Sequence, residues 1–189
     1  MAFEVARALH APLDVMLVRK LGLPDHEEYA MGAIASGGLV VLDRSVTARF
    51  GVSNEQISRT IERERHELER REHLYRADRA PPEITGRTVI LVDDGLATGA
   101  SMHAAVSALR KEHPKRIVVA VPIGAPETCD AMRAAADDVV CADTPEPFLA
   151  IGLWYDDFSQ TTDAEVRDLL ERAEHEWSAA PGRADGYRR

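Results

Sequence analysis

The chain has 189 residues, 45% of them hydrophobic, and a formal net charge of −9. This size and composition predict one domain, or one domain with an appended element, with a core of its own. The negative charge argues against a nucleic-acid partner held by phosphate neutralisation. No apolar run approaches the roughly 18 residues of a membrane span and no signal peptide is visible, so we expect a cytoplasmic protein without a membrane partner.

The N-terminal part of the chain predicts a helix, a strand and a hairpin. Residues 1–11 have the apolar spacing of a helix, and residues 12–18 are typical of a buried strand. This strand would present Arg19 and Lys20 at its carboxyl end. Residues 33–42 then predict a hairpin around a Ser-Gly-Gly turn.

A long charged helix is predicted over residues 53–76. Ser53 and Gln56 have the spacing of a capping box, which marks the helix start. Acids and arginines alternate along most of the helix, which is typical of a solvated face. A single apolar stripe indicates that the helix packs by one side only, on the core or on a partner subunit. The stripe consists of Ile57, Ile61, Leu68 and Tyr75.

The most informative stretch is residues 88–101. Thr88–Val92 is uncharged and rich in β-branched residues, which predicts a strand buried on both faces of a parallel sheet. Asp93 and Asp94 follow at the strand's end, and a glycine-bearing loop then leads into a helix. Such a loop directs backbone N–H groups at a phosphate, whereas the two acids suit sugar hydroxyls or a metal. The order therefore fits a ribose 5-phosphate unit.

The β and α elements continue to alternate after this stretch. Residues 116–122 and 138–142 predict strands, and residues 126–136 predict a helix between them. Parallel strands joined by helices indicate an α/β fold. Cys129 and Cys141 show no metal-binding spacing and lie among apolar residues, so we expect buried free thiols.

The C-terminal part combines an aromatic-rich segment with a helix. Residues 144–158 carry Phe148, Trp154, Tyr155 and Phe158, and a capping box at Thr162 opens a helix that reaches residue 177. For Trp154 and Phe158, packing between the last strand and this helix is at least as good an explanation as a role in a binding site. Residues 178–189 have no apolar stripe and predict a mobile tail.

Residues 89–101, with the sequence VILVDDGLATGAS, resemble the phosphoribosyl pyrophosphate (PRPP) motif of the type I phosphoribosyltransferases. This resemblance implies a Rossmann-like fold: a mainly parallel, twisted sheet flanked by helices, with the long charged helix inserted. The domain would cover residues 1–177, and residues 144–158 would form a small hood. The implied PRPP-binding residues are Asp93, Asp94, Gly95, Leu96, Ala97, Thr98, Gly99, Ala100 and Ser101.

Weaker resemblances extend over most of the chain. The segment RKLGLP, which starts at Arg19 and Lys20, is similar to the adenine phosphoribosyltransferases, where the basic pair faces the pyrophosphate. Residues 25–32 fall where that family has a mobile catalytic loop, and Glu28 with Tyr29 resembles its Glu-Tyr pair. An acidic surface loop is the alternative explanation of those residues.

In hypoxanthine-type relatives a segment similar to residues 144–158 forms part of a hood over the base. That likeness implies that Phe148 stacks on an acceptor ring, and Tyr29 would be a second acceptor contact. Ala97 occupies the position where many relatives carry an acid that accepts the base's proton. The adenine enzymes also have alanine there, which makes Glu28 the candidate catalytic base, beside Arg19 and Lys20 for the leaving group.

The chain departs from the family pattern at its start. It begins inside the helix that follows the family's first strand and pyrophosphate loop, so both of those elements are missing from the pattern. Residues 15–18 and 89–92 flank that strand in the family. We therefore expect these two segments either to pair directly or to leave an open slot.

The resemblance implies a pentosyltransferase that moves a 5-phosphoribosyl group between PRPP and a nitrogenous small-molecule acceptor, for example a nucleobase, and releases pyrophosphate. Magnesium would be held mainly by the ligand rather than by the protein. A homodimer is also implied. The alternative is a PRPP- or nucleotide-binding regulatory protein without catalysis, which the missing first loop favours.

Overall fold

The computed structural model of the chain describes residues 1–24, 26–76, 79 and 81–178; the side chains of Glu27 and Glu28 are not described. These ranges contain six α-helices and six strands. The helices are α1 (Ala2–Leu9), α2 (Arg44–Arg49), α3 (Asn54–Arg76), α4 (Ala100–Lys111), α5 (Pro126–Met132) and α6 (Asp163–Ser178). The strands are β1 (Val18–Leu23), β2 (His26–Ala35), β3 (Leu39–Leu42), β4 (Thr88–Val92), β5 (Arg116–Ile123) and β6 (Asp138–Asp143).

The strands form two separate three-stranded sheets. One is parallel with the order β4-β5-β6, and the other is antiparallel with the order β1-β2-β3. Helix α4 contacts all three antiparallel strands as well as β5, so it lies between the two sheets. The α/β class with a parallel sheet flanked by helices is confirmed. The predicted hairpin is also present, with Ala35 paired to Leu39 around the turn.

Each sheet has a core of its own. The parallel sheet packs its apolar side chains, such as Ile117 and Val119, against Met102 and Val106 of α4. The antiparallel sheet buries Leu21, Met31 and Ile34 against α3, whose contribution is Leu68. None of the helices in the described ranges combines the length and apolar character that crossing a bilayer requires.

The charged helix α3 packs within this chain. Ser53 and Gln56 make both bonds of the predicted capping box, with N···O distances of 2.9 and 3.2 Å. The buried stripe faces the antiparallel sheet, and near the helix end the Tyr75 hydroxyl donates to Asp163 of α6 at 2.6 Å. One side of α3 therefore packs against the core and against α6.

The N-terminal strand prediction is wrong. Residues 12–17 form no strand, and β1 begins at Val18, so Arg19 and Lys20 lie inside a strand rather than at its carboxyl end. The physical reason is a competing partner, because the guanidinium of Arg76 donates to the Asp14 carboxylate at 2.8 Å and to the Val15 carbonyl at 2.9 Å. A side chain thus binds a carbonyl that a sheet would need.

The loop prediction for residues 25–32 also fails. Strand β2 begins at His26 and pairs with β1, with irregular register near Gly22, while Asp25 lies outside the described residues. The acidic composition concealed a strand whose partner is the preceding strand, so the pairing cannot be read from this segment alone.

Strand β4 is an edge strand rather than an interior one. In the described part of the chain it pairs only with β5, and it does not pair with residues 15–18. Ile90 is accordingly 37% exposed, so the predicted burial on both faces is wrong. The expected direct pairing is therefore absent. Because residues 15–17 form no strand, β4 has an open side rather than a slot between two strands in the described part of the chain.

The cysteine prediction is wrong as well. Cys129 of α5 and Cys141 of β6 form a disulfide, and Cys129 is fully buried. Strand β6 and helix α5 are adjacent in the fold, which places the two residues side by side although 12 positions separate them. The bond ties α5 to the parallel sheet.

Candidate functional site

The candidate site lies beyond the carboxyl end of β4. This strand ends at Val92, and Asp93 and Asp94 follow it directly with exposed side chains. The Asp94 N–H donates to the Asp93 carboxylate at 2.9 Å, which orients that side chain. Both predicted acids therefore stand at the edge of the sheet where open α/β folds bind ligands.

The two carboxyl groups keep their protons more readily than free aspartate does. Burial raises the pKa of Asp93, and the neighbouring charge of Asp94 raises it further against an opposing backbone hydrogen bond. Burial likewise raises the pKa of Asp94. Although both groups reach solvent, the loop displaces part of their hydration shell, and a hydroxyl-rich or cationic ligand would replace that lost solvation.

A tight loop connects the acids to α4. Gly99 has a φ of 71° and precedes the first residue of that helix. A β-carbon at Gly99 would lie 2.9 Å from Thr128 Cγ2, and one at Gly95 would lie 2.9 Å from Ile151 Cγ1. Glycine is thus required at both ends of the loop by close packing, and at Gly99 also by its backbone conformation.

Residues outside the loop form hydrogen bonds with four of its backbone groups. The Leu96 N–H donates to the Ile123 carbonyl at 3.0 Å, and the Leu96 carbonyl accepts from Ala125 at 2.8 Å. The hydroxyl of Tyr155 donates to the Asp94 carbonyl at 2.6 Å, and that of Thr128 donates to the Ala97 carbonyl at 2.7 Å. These contacts come from β5, α5 and the segment before α6.

Three successive N–H groups of the loop are left for a ligand. Among the described residues, no acceptor binds the N–H of Ala97, Thr98 or Gly99, while Ala100 makes only a 3.5 Å contact with the Thr98 hydroxyl. Ser101 lies in the first turn of α4. Free N–H groups at a helix N-terminus are suited to bind an anion.

The basic pair of β1 is not directed to a common target. Arg19 donates to the Glu64 carboxylate of α3 at 2.7 and 2.9 Å, and that carboxylate is largely buried. Lys20 is exposed and is bound to no acidic side chain within the described ranges. The described contacts do not connect either residue to the loop, so their role in leaving-group binding stays a prediction.

The other predicted site residues lie on different parts of the fold. Glu28 belongs to β2, but its side chain is outside the described residues. Tyr29 of the same strand is 60% exposed and meets the ring of His26 edge-on at 6.4 Å. Phe148 is half-buried in the segment after β6. Their catalytic and acceptor-binding roles remain predictions.

The segment 144–158 packs against the backbone of Asp94 and Gly95. Ile151 contacts Gly95, and Tyr155 binds the Asp94 carbonyl while its ring packs on Phe158 with a centroid distance of 5.1 Å. This position agrees with a hood, and the contact of that hood with an acceptor stays a prediction. In the described residues, no three His, Cys, Asp or Glu side chains converge as ligands for a metal ion.

A family model named "Phosphoribosyl transferase domain" matches residues 1–151. The chain belongs to the type I phosphoribosyltransferase family. The motif at residues 89–101, on which the sequence resemblance depended, lies within this match. The matched region ends inside the segment 144–158.

A curated relative and a solved structure are similar to most of the chain. The "Putative phosphoribosyl transferase Rv0571c" of Mycobacterium tuberculosis is 41% identical over 179 residues, which is 95% of this chain and 40% of that protein. The chain therefore spans about two fifths of this relative. The crystal structure of TT1426 from Thermus thermophilus is 42% identical, with a TM-score of 0.76, and the match covers 90% of this chain and 80% of that one.

A shorter similarity involves phosphoribosyltransferases whose names include an acceptor. The uracil phosphoribosyltransferase of Lactobacillus gasseri is 46% identical over 59 residues, or 31% of this chain. That of Variovorax paradoxus is 30% identical over 146 residues, which is 74% of this chain and 66% of the relative.

Two residues that position the loop were missed at the sequence level. The Thr128 hydroxyl has no signal in the sequence, because its acceptor is 31 positions away along the chain. The aromatic-rich segment included Tyr155, but the sequence predicted no role for that residue. Its hydroxyl bond to Asp94 spans 61 positions.

Proposed function

We propose that the chain transfers a 5-phosphoribosyl group between PRPP and a nitrogenous acceptor with release of pyrophosphate. The observation that supports this most is the loop after β4, where two exposed carboxylates stand next to three N–H groups that no acceptor binds among the described residues. These two kinds of group match the two ends of a ribose 5-phosphate, since acids accept from hydroxyls and N–H groups donate to phosphate.

In this proposal each part of the site has a separate task. Asp93 and Asp94 accept hydrogen bonds from the 2′- and 3′-hydroxyls of the ribose, and the N–H groups from Ala97 to Gly99 bind the 5-phosphate. The bond from C1 to the pyrophosphate oxygen breaks, and pyrophosphate leaves with the electron pair. A ring nitrogen of the acceptor forms the new bond to C1 and gives its proton to a base, for which Glu28 is the candidate.

The site fits a magnesium ion that is bound mainly by the oxygen atoms of PRPP. Two carboxylates are too few to enclose it, but they can contact an ion that the PRPP oxygen atoms already hold. When bound, magnesium would supply charge neutralisation of the pyrophosphate. Lys20, which is exposed on β1 and bound to no acid in the described ranges, is a cation that can help in that task.

The acceptor is proposed only as a class. The uracil phosphoribosyltransferases align with parts of this chain, which supports a planar nitrogenous ring. In this proposal the ring lies against Phe148 and Tyr29 in the liganded protein. We also propose that the protein forms a homodimer, as the family resemblance implies, and that it is located in the cytoplasm.

The test is calorimetric binding of PRPP in magnesium to the wild type and to Asp93→Asn with Asp94→Asn. Each lost charge-assisted hydrogen bond is worth about 1.5–3 kcal/mol, so the double variant should bind about 100-fold more weakly or worse. Glu62→Gln with Glu69→Gln on the exposed side of α3 is the charge-matched control. Equal affinity of the wild type and the aspartate variant would refute the assignment of the site.

A second candidate is a PRPP-binding protein without catalysis. The pairing of Arg19 with Glu64 favours it, because this leaves one predicted leaving-group cation engaged elsewhere. A panel of nucleobases, assayed for pyrophosphate release from PRPP, separates the candidates. Binding of PRPP without turnover of any base would support the second.

A further inference from the structure

Thr128 touches the phosphate loop with both branches of its side chain. Its hydroxyl donates to the Ala97 carbonyl at 2.7 Å. Its methyl group packs against Gly99 and lies only 2.9 Å from the position that a β-carbon there would take. The two contacts fall on either side of Thr98, the middle of the three residues whose N–H groups no acceptor binds in the described part of the chain.

The hydroxyl contact determines the orientation of one peptide unit. In a trans peptide the C=O and the following N–H point in opposite directions. Because the Ala97 carbonyl is bound to Thr128 on the α5 side, the N–H of Thr98 must point away from α5. Without the hydroxyl, the peptide could rotate and turn this N–H out of line with those of Ala97 and Gly99.

Thr128 is itself held in place by its surroundings. Its N–H donates to the Ala125 carbonyl at 3.0 Å, and Ala125 in turn donates to Leu96 in the loop. The next residue, Cys129, is bonded to Cys141 of β6. The hydroxyl therefore has a fixed location relative to the sheet and the loop.

We propose that Thr128 is a positioning residue that keeps the Thr98 N–H directed at the 5-phosphate of the ligand. This inference rests on the proposed function of the loop, and it assigns to α5 a part in substrate binding. Thr128 itself does not touch the substrate. It acts through the peptide between Ala97 and Thr98.

The two branches of the side chain allow a clean test. Thr128→Val keeps a methyl group against Gly99 and removes the hydroxyl, whereas Thr128→Ser keeps the hydroxyl and removes the methyl. We expect the valine variant to bind PRPP and ribose 5-phosphate about two- to tenfold more weakly, a factor typical of one hydrogen bond, and the serine variant to bind like the wild type.

The matched control is Thr85→Val. The Thr85 hydroxyl also donates to a distant carbonyl, that of Glu112 at 3.0 Å, but at a site away from the loop. Its loss should lower the melting temperature without changing either affinity. A purely structural role of Thr128 would behave in the same way, so the affinities of the serine and valine variants distinguish positioning from packing.

Each outcome decides something. If the wild type binds neither ligand, the proposed function fails and the role of Thr128 fails with it. If the wild type binds and the valine and serine variants match it, only the role of Thr128 is refuted. Should the valine variant not fold, Thr128→Ala replaces it, since alanine and serine both lack the methyl and differ in the hydroxyl alone.

Discussion

Reduction of the bond between Cys129 and Cys141 should destabilise the protein measurably. The disulfide joins α5 to β6 between residues that are 12 positions apart. It packs against Gly124, where an added β-carbon would come within 2.4 Å of Cys129 Sγ. Its loss releases the unfolded chain from a short closed loop and removes a tie between two neighbouring elements of the folded state.

The size of the effect follows from the length of that loop. Closing a loop of this size restricts the unfolded chain by about 3 kcal/mol in the chain-entropy description. For a domain of this size, about 1 kcal/mol moves the melting temperature by roughly 2–4 °C. The reduced protein should therefore melt roughly 6–12 °C below the oxidised protein.

The assay is thermal unfolding in the presence and absence of a dithiol reductant, with thiol titration of the unfolded, unreduced protein. The control is the double variant Cys129→Ala with Cys141→Ala. Its melting temperature should lie near that of the reduced protein and should not change when the reductant is added. A shift below about 2 °C, or two free thiols in the unreduced protein, would refute the reasoning. Disulfides are uncommon in the reducing cytosol, so the titration on freshly lysed cells also tests the predicted location.

Three further changes have defined outcomes. Asp93→Asn should raise the melting temperature at pH 7, because the raised pKa of Asp93 means that its ionised form destabilises the folded state. This gain should vanish when the pH falls below 3.8, the ordinary pKa of aspartate, because the wild-type group is then neutral in both the folded and the unfolded state. Gly99→Ala should lower both stability and PRPP affinity, since its φ is 71° and its β-carbon would meet Thr128 at 2.9 Å. Glu64→Gln weakens the bond to Arg19, so it should cost about 1 kcal/mol in urea unfolding and tighten pyrophosphate binding in calorimetry.

Matched variants control the first two of these predictions, and the third has an outcome that would contradict it. Asp43→Asn should melt lower than the wild type, because hydrogen bonds from Ser45 and Val46 hold the pKa of Asp43 below its usual value. Gly37→Ala shares the positive φ, at 79°, but would meet no atom within 4 Å, so it should cost less than Gly99→Ala and leave PRPP affinity unchanged. Pyrophosphate affinity that stays constant in Glu64→Gln would argue against a leaving-group role of Arg19.

The features that could be predicted from the sequence are local ones. The strand, the two acids and the glycine loop of residues 88–101 are consecutive, so their chemistry and spacing are visible in one window. The capping boxes at Ser53 and Thr162 are equally local, and the structure contains both. Composition and motif were sufficient for the family and for the α/β class.

The features that could not be predicted depend on distant partners. The acceptor of Arg19 is Glu64, 45 positions away, and neither residue has a sequence signal that favours this pair over solvent. The Arg76 side chain displaced a predicted strand at residues 12–17 by binding Asp14, at a separation of 62 positions. In each case the local pattern was compatible with several environments, and tertiary contacts selected one.

The edge position of β4 has a consequence for the motion of the site. Alternate N–H groups of a strand point to opposite sides, and Asp93 donates towards β5, to the Ala120 carbonyl at 3.4 Å. The N–H groups of Ile90 and Val92 therefore point away from β5, and no acceptor binds them within the described residues. The amides of Ile90 and Val92 should exchange with deuterium faster than those at the centre of β5. A ligand bound by both carboxylates should slow that exchange, because it makes local opening of β4 less frequent.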